Sequence, residues 1–250
     1  MTATPTKHQA FSLLRLWALA WNTLLELVGL KVFYFLVIFG LLMTGSSAFT
    51  VTFTFQQQFQ VLKDVSLGSM SIFTWLLATL ATAMLIPKDL EDRTLYSILA
   101  KPVPRLEYVL GKLFGVLFML AIATLVMSAA FLLAMWAREQ RAIAAAIRQY
   151  PPGSIRDAEL QSIAASTWNW NLIPGIVLIY LKAAICASMT LMLSTFATST
   201  IFTVIVSVVM YIVGHLVVVA REFLLTQAGD VSTLWRLFLG AISIVFPDFQ

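Results

Sequence analysis

Cysteine is almost missing from this chain. Cys186 stands alone inside an apolar run, so neither a disulfide framework nor a thiolate metal cluster can form within it. Histidine is nearly as scarce. His8 and His215 with one cysteine are too few and too scattered for a His/Cys metal site. Asp, Glu, Lys and Arg together make up 11% of residues. No Gly-x-x-x-x-Gly-Lys-Ser/Thr phosphate loop occurs, which excludes binding and hydrolysis of ATP by that device. There is no His-Glu-x-x-His, and the apolar runs hold no aspartate pair, so the constellations of an intramembrane protease are missing. Internal repeats and low-complexity tracts are absent as well.

What fills the chain is apolar. Hydrophobic residues reach 60%, and the mean hydropathy is +0.90, far above a soluble domain. Runs near or above the length of a bilayer-spanning helix recur. Hydrocarbon tolerates only structures that satisfy their own backbone groups, and these runs are continuous rather than alternating, so helices are expected. The 250 residues make one all-α, polytopic membrane domain with no room for a second. The net charge of +4 bears on orientation in a membrane more than on nucleic acid.

Residues 10–28 predict an interfacial helix. Ser12, Arg15, Asn22 and Glu26 fall on one side, with Trp17, Trp21, Leu24, Leu25 and Val28 elsewhere. Arg15 interrupts the run and no cleavage site follows, which speaks against a signal peptide. Five spans are expected at 32–49, 67–86, 109–136, 172–196 and 201–220. Pro87 is expected to stop the second. Residues 50–66 read as a polar loop containing Lys63. Residues 137–171 read as an external insertion of two short helices split by Pro151, Pro152 and Gly153, with Ser154 and Asp157 capping the second. Trp136, Trp168 and Trp170 mark membrane edges. Residues 234–246 are too few to cross a ~30 Å core. They predict a short re-entrant helix dipping into the outer leaflet and ended by Pro247.

Between the second and third spans lies a dense island of charge at 87–112, PKDLEDRTLYSILAKPVPRLEYVLGK. It is expected to sit in water. Lys88, Arg93, Lys101, Arg105 and Lys112 place it in the cytoplasm, together with the N-terminus and its Lys7, Arg15 and Lys31. Arg138, Arg141, Arg148 and Arg156 in the 137–171 insertion run against this orientation, although long loops follow the rule less closely. Residues 89–99 predict a short helix with Leu90, Leu95, Ile98 and Leu99 on an apolar side and acidic residues at its positive N-terminal end. Pro102 and Pro104 end it in a stiff turn. A stiff charged element tied to two spans can pass a push from a soluble partner into the membrane.

The order of these residues resembles the signature stretch of type-2 family ATP-binding-cassette exporter permeases. The matching positions are Asp89, Thr94-Leu95, Leu99, Pro102-Val103, Arg105, Tyr108 and Gly111-Lys112. The chain departs from the pattern at Asp89, where Glu is more usual, and at Arg93, where Gly often stands. The plan of amphipathic helix, spans and short apolar helix is also similar. The resemblance implies that Asp89, Glu91, Asp92, Arg93, Thr94, Leu99, Pro102, Arg105, Gly111 and Lys112 meet a cytoplasmic ATPase subunit. ATP and Mg would be bound by that partner, with no cofactor in this chain. It further implies a homodimer or a heterodimer with a related permease, a multi-pass location in a cell membrane such as the bacterial inner membrane, and transport by alternating access. A sixth span normally follows in the family, so about twenty further apolar residues are expected after Gln250. The reading from another class is a membrane scaffold that recruits a cytoplasmic partner and moves nothing.

Two residues inside spans stand apart. Lys182, about mid-span, predicts a pathway or subunit-interface role or a pairing with backbone. His215 is expected to hydrogen-bond a neighbouring helix, with a proton relay as the sharper alternative. The Gly111-x-x-x-Gly115 pair permits close helix packing. The substrate is not readable from these residues.

Overall fold

A computed structural model describes residues 12–47, 55–91, 105–149, 151–167, 170, 172–197 and 199–226. Within them the chain is helical, with no strand among the described residues. The helices are α1 (Leu13–Val28), α2 (Lys31–Ser47), α3 (Phe55–Glu91), α4 (Arg105–Gln149), α5 (Ser154–Thr167), α6 (Leu172–Phe196) and α7 (Thr200–Thr226). Among the described residues three stretches are long and apolar enough to cross a membrane: Phe59–Asp89, Leu106–Gln149 and Ser154–Phe196. A fourth results if α1 and α2, which meet at a 66° bend, count as one broken span. The chain is therefore a membrane-embedded helical protein.

Three boundaries differ from those read in the sequence, each for a physical reason. Pro87 does not stop α3, which continues to Glu91. Proline forfeits one backbone bond, and neighbouring helices make that tolerable in an apolar setting; Pro87 is buried here. The polar stretch before the second span is not wholly a loop: from Phe55 onward it is the first part of α3. The region after Trp136 does not begin with a separate short helix. It prolongs α4 to 45 residues, about 67 Å at 1.5 Å per residue, against a hydrocarbon core of ~30 Å. Polar helix formers such as Arg138, Glu139, Gln140 and Arg141 extend a helix as readily in water as apolar ones do in lipid. The expected break at 151–153 and the helix from Ser154 are present, with Asp157 in its first turn.

α3 is the hub, packed against α2, α4, α5, α6 and α7. In the main core Leu77, Ala81 and Leu85 of α3 meet Leu24 and Leu27 of α1, Leu36 of α2, Met119 and Leu120 of α4, and Ala187 and Leu191 of α6. Ala78, Ala81, Ala183 and Ala187 keep the α3–α6 contact close, since small side chains rather than water exclusion favour association within lipid. A second core joins Phe59 and Leu62 of α3, Phe131, Met135 and Ala146 of α4, Ile163 of α5 and Leu172 of α6. There the Lys63 ammonium donates to the Ser166 carbonyl at 2.6 Å, near the end of α5. The expected spans 67–86 and 109–136 thus lie inside helices that run past them. The re-entrant helix at 234–246 lies outside the described residues.

Candidate functional site

α1 runs alongside the start of α4 because two glycines let it. A Cβ on Gly111 would lie 2.6 Å from Leu19 Cβ, and one on Gly115 would lie 2.5 Å from Thr23 Cβ and 2.8 Å from the Ala20 carbonyl oxygen. Both are closer than real Cβ contacts, so the Gly111-x-x-x-Gly115 step makes the close approach that its spacing permits. Trp17 meets Phe118 edge to face, with ring centroids 5.5 Å apart. The start of α1 is held from outside its own helix: the Ser12 N–H donates to Glu107 Oε1 at 3.1 Å. A carboxylate there also faces the positive end of the α1 dipole.

This packing carries Glu26, near the C-terminal end of α1, to the point where α3 ends. Lys88 Nζ lies 3.1 Å from Glu26 Oε1, and Lys112 Nζ lies 3.3 Å from Glu26 Oε2. Lys112 Nζ also lies 2.8 Å from Asp89 Oδ2, which accepts a hydrogen bond from the Tyr108 hydroxyl. Tyr108 and Lys112 stand one turn apart on α4, with the ammonium 5.9 Å from the ring centroid. Three helices are thus tied by one network. Its centre is buried: Asp89 is 6% exposed and Lys112 4%. Lys88 lies at the exposed rim.

The charged island is therefore not wholly in water. Its first and last acidic and basic residues, Asp89 and Lys112, are folded into the protein and paired with each other. Gly111 serves the α1–α4 contact. Glu91 closes α3 and Arg105 opens α4. Asp92, Arg93, Thr94, Leu99 and Pro102 lie outside the described residues, as does most of the predicted 89–99 helix. In the sequence Glu26 stands only on the polar side of the interfacial helix and at no site. Its contact with Lys112 spans 86 positions, and its only sequence signal is an acid on an otherwise apolar amphipathic helix.

The second pair of singled-out residues meets elsewhere. Lys182 of α6 holds its ammonium 5.8 Å from the centroid of the Tyr211 ring on α7. Trp75 of α3 stacks on the same ring, with centroids 4.2 Å apart and planes 25° from parallel. The His215 ring lies 6.4 Å from Tyr211 and nearly parallel to it. Lys182 and His215 thus share Tyr211 as a neighbour, and sequence spacing gave no sign of Trp75 or Tyr211 joining them. Among the described residues no three His, Cys, Asp or Glu side chains are grouped to hold a metal ion.

Comparison with protein-family models, with curated proteins and with solved structures finds no match. The resemblance to exporter permeases rests on the residue order at 87–112 and the plan of the chain.

Proposed function

We propose that this chain is the membrane-spanning permease subunit of an ATP-binding-cassette exporter. In this reading the ends of α3 and α4, and the segment between them, receive motion from a separate cytoplasmic ATPase that binds ATP and Mg. The observation that carries the proposal is the Asp89–Lys112 ion pair at 2.8 Å. It closes the matching segment at its base, so the segment is anchored to α3 and α4 at one point. A displacement of that segment reaches both helices together, and through Glu26 it reaches α1.

The finer reading has five spans, an N-terminus and charged segment in the cytoplasm of a bacterial inner membrane, and the extensions around α5 on the other side. Two copies, or one copy and a related permease, form the pathway. ATP-driven closure of the ATPases shifts the bases of α3 and α4, and the bundle reopens outward. The permease makes and breaks no covalent bond.

Asp89 is a poor probe of this idea, because its burial makes any charge change a folding defect. Glu91→Lys combined with Arg105→Glu is the better variant. Co-expressed with the ATPase encoded nearest to this chain, it is expected to lose at least about tenfold in ATPase capture, the effect of one or two charge-assisted contacts. A variant that captures the ATPase and supports its activity as the unaltered chain does would refute the coupling role.

A further inference from the structure

Two helices mark independently the level at which α4 leaves the membrane. Trp136 of α4 is 61% exposed, and Trp170, just before α6, is 76% exposed. Their near neighbours in sequence, Met135 and Leu172, share the second core, which sets the two tryptophans at one height. Exposed indoles at one height form the belt of a membrane–water interface. Toward the bundle from Trp136, the side chain of Leu133 is 66% exposed and faces lipid. Away from it, α4 continues to Gln149.

The rise of a helix fixes the depth of the arginines that follow. At 1.5 Å per residue Arg138 lies about 3 Å, Arg141 about 8 Å and Arg148 about 18 Å past Trp136. The headgroup layer on each side of the hydrocarbon is about 5–8 Å thick. Arg138 and Arg141 therefore fall in the layer that holds lipid phosphates, and Arg148 stands in water past it. Arg138 is half-buried and has an interaction of its own, whereas Arg141 is exposed. Arg141 comes eight residues after Leu133 and seven before Arg148, so the three share one side of α4. That side meets lipid at Leu133. Glu139, the acid nearest in sequence, stands about 160° round the helix from Arg141. An arginine above a lipid-facing stripe lays its apolar stem along the stripe and holds its guanidinium at phosphate level. The planar fork then takes two phosphate oxygens at once.

We propose that Arg141 binds the phosphate of an anionic phospholipid in the leaflet that meets this end of the bundle. A zwitterionic lipid is the poorer guest, because it brings its own ammonium to the phosphate. The bound lipid pins α4 at a fixed depth where it leaves the membrane. It also gives one of the arginines that run against the orientation rule a partner on its own side. The site requires that the chain be membrane-embedded. It depends neither on coupling to an ATPase nor on which face is cytoplasmic.

The test uses the full chain in lipid nanodiscs with a photoactivatable phosphatidylglycerol. A phosphatidylcholine with the same diazirine near its glycerol serves as the comparison. After photolysis the segment from Trp136 to Ala144 is expected to carry about fivefold more label from the phosphatidylglycerol, the weight of one basic residue beside an anionic surface. Arg141→Gln, a change at an exposed position, should bring the two lipids to within about twofold, and high salt should act in the same direction. Arg148→Gln should leave the excess in place, since that residue lies past the headgroups. Equal labelling by the two lipids in the unaltered chain would overturn the proposal. An equal loss in Arg141→Gln and Arg148→Gln would also overturn it, by showing a diffuse field rather than a site at one depth. Removal of the label by soluble glycerol phosphate would overturn it as well, by assigning Arg141 to a free phosphate and not to a lipid.

Discussion

Lys112 touches two carboxylates and lies almost wholly inside the protein, whereas Lys88 touches one at the surface. The same residue type should therefore behave differently at the two sites. Lys112→Met leaves Asp89 and Glu26 without their shared cation. It is expected to cost about 3–5 kcal/mol, the usual penalty for breaking a buried pair from one side. Lys88→Met should cost less than about 1 kcal/mol. Thermal unfolding of the two variants in detergent checks the difference, and similar losses would contradict the burial assigned to Lys112. The glycines give a second contrast. A Cβ at Gly115 meets backbone, namely the Ala20 carbonyl, and cannot be relieved without moving α1; Gly115→Ala should cost about 1–3 kcal/mol. A Cβ at Gly40 meets the terminal methyl of Met127, which can swing away, so Gly40→Ala should fall below about 1 kcal/mol. Much of this was readable residue by residue. The Gly111/Gly115 spacing and the Tyr108/Lys112 turn stand in the sequence. Their partners Leu19, Thr23 and Glu26 do not, because no local pattern tells which helix will fill a glycine groove.

At the scale of the element, apolar runs locate helices well and their ends poorly. The run at 172–196 coincides with α6 (Leu172–Phe196), which ends before Ala197. The runs at 67–86 and 109–136 were legible as helices, yet α3 and α4 extend far beyond them. Hydropathy falls where a helix leaves lipid, but helical bonding does not stop there, and Pro87 inside a packed bundle is a defect the neighbours absorb. The extensions gain a partner in α5, fixed by the Lys63–Ser166 contact. Lys63→Met should raise amide exchange across α5 (Ser154–Thr167) about tenfold, as expected from losing about 1.5 kcal/mol of a charged hydrogen bond. Unchanged exchange in α5 would mean the second core alone holds it. The orientation is also an element-scale matter. In a Cys186→Ser background, cysteines at Ser97 and Ser154 should react with an impermeant maleimide from opposite sides of the membrane. Reaction from one side would overturn the arrangement proposed for α3, α4 and the segment between them.

For the molecule as a whole, the ion-pair network and the Trp75–Tyr211–Lys182 cluster occupy different parts of one helix. α3 carries Lys88 and Asp89 at its end and Trp75 further back, within the hub of the bundle. A shift of α3 along its axis or about it would move both at once, which is the mechanical link an ATP-driven permease requires. The charge order at 87–112 made the coupling reading visible from sequence. The Trp75–Tyr211 stack was not visible, because its rings come from α3 and α7 and neither belongs to a motif. The central claim is that motion enters through that charged segment from a separate ATPase. It is tested most directly by ATP hydrolysis in liposomes that contain the chain and the proposed cytoplasmic ATPase, with and without a panel of amphiphiles. Hydrolysis is expected to rise severalfold with at least one amphiphile for the unaltered chain, and to stay at the level of the ATPase alone for Glu91→Lys with Arg105→Glu. A rate that is the same with the chain, without it and with the variant would contradict the claim and leave the protein as a membrane scaffold.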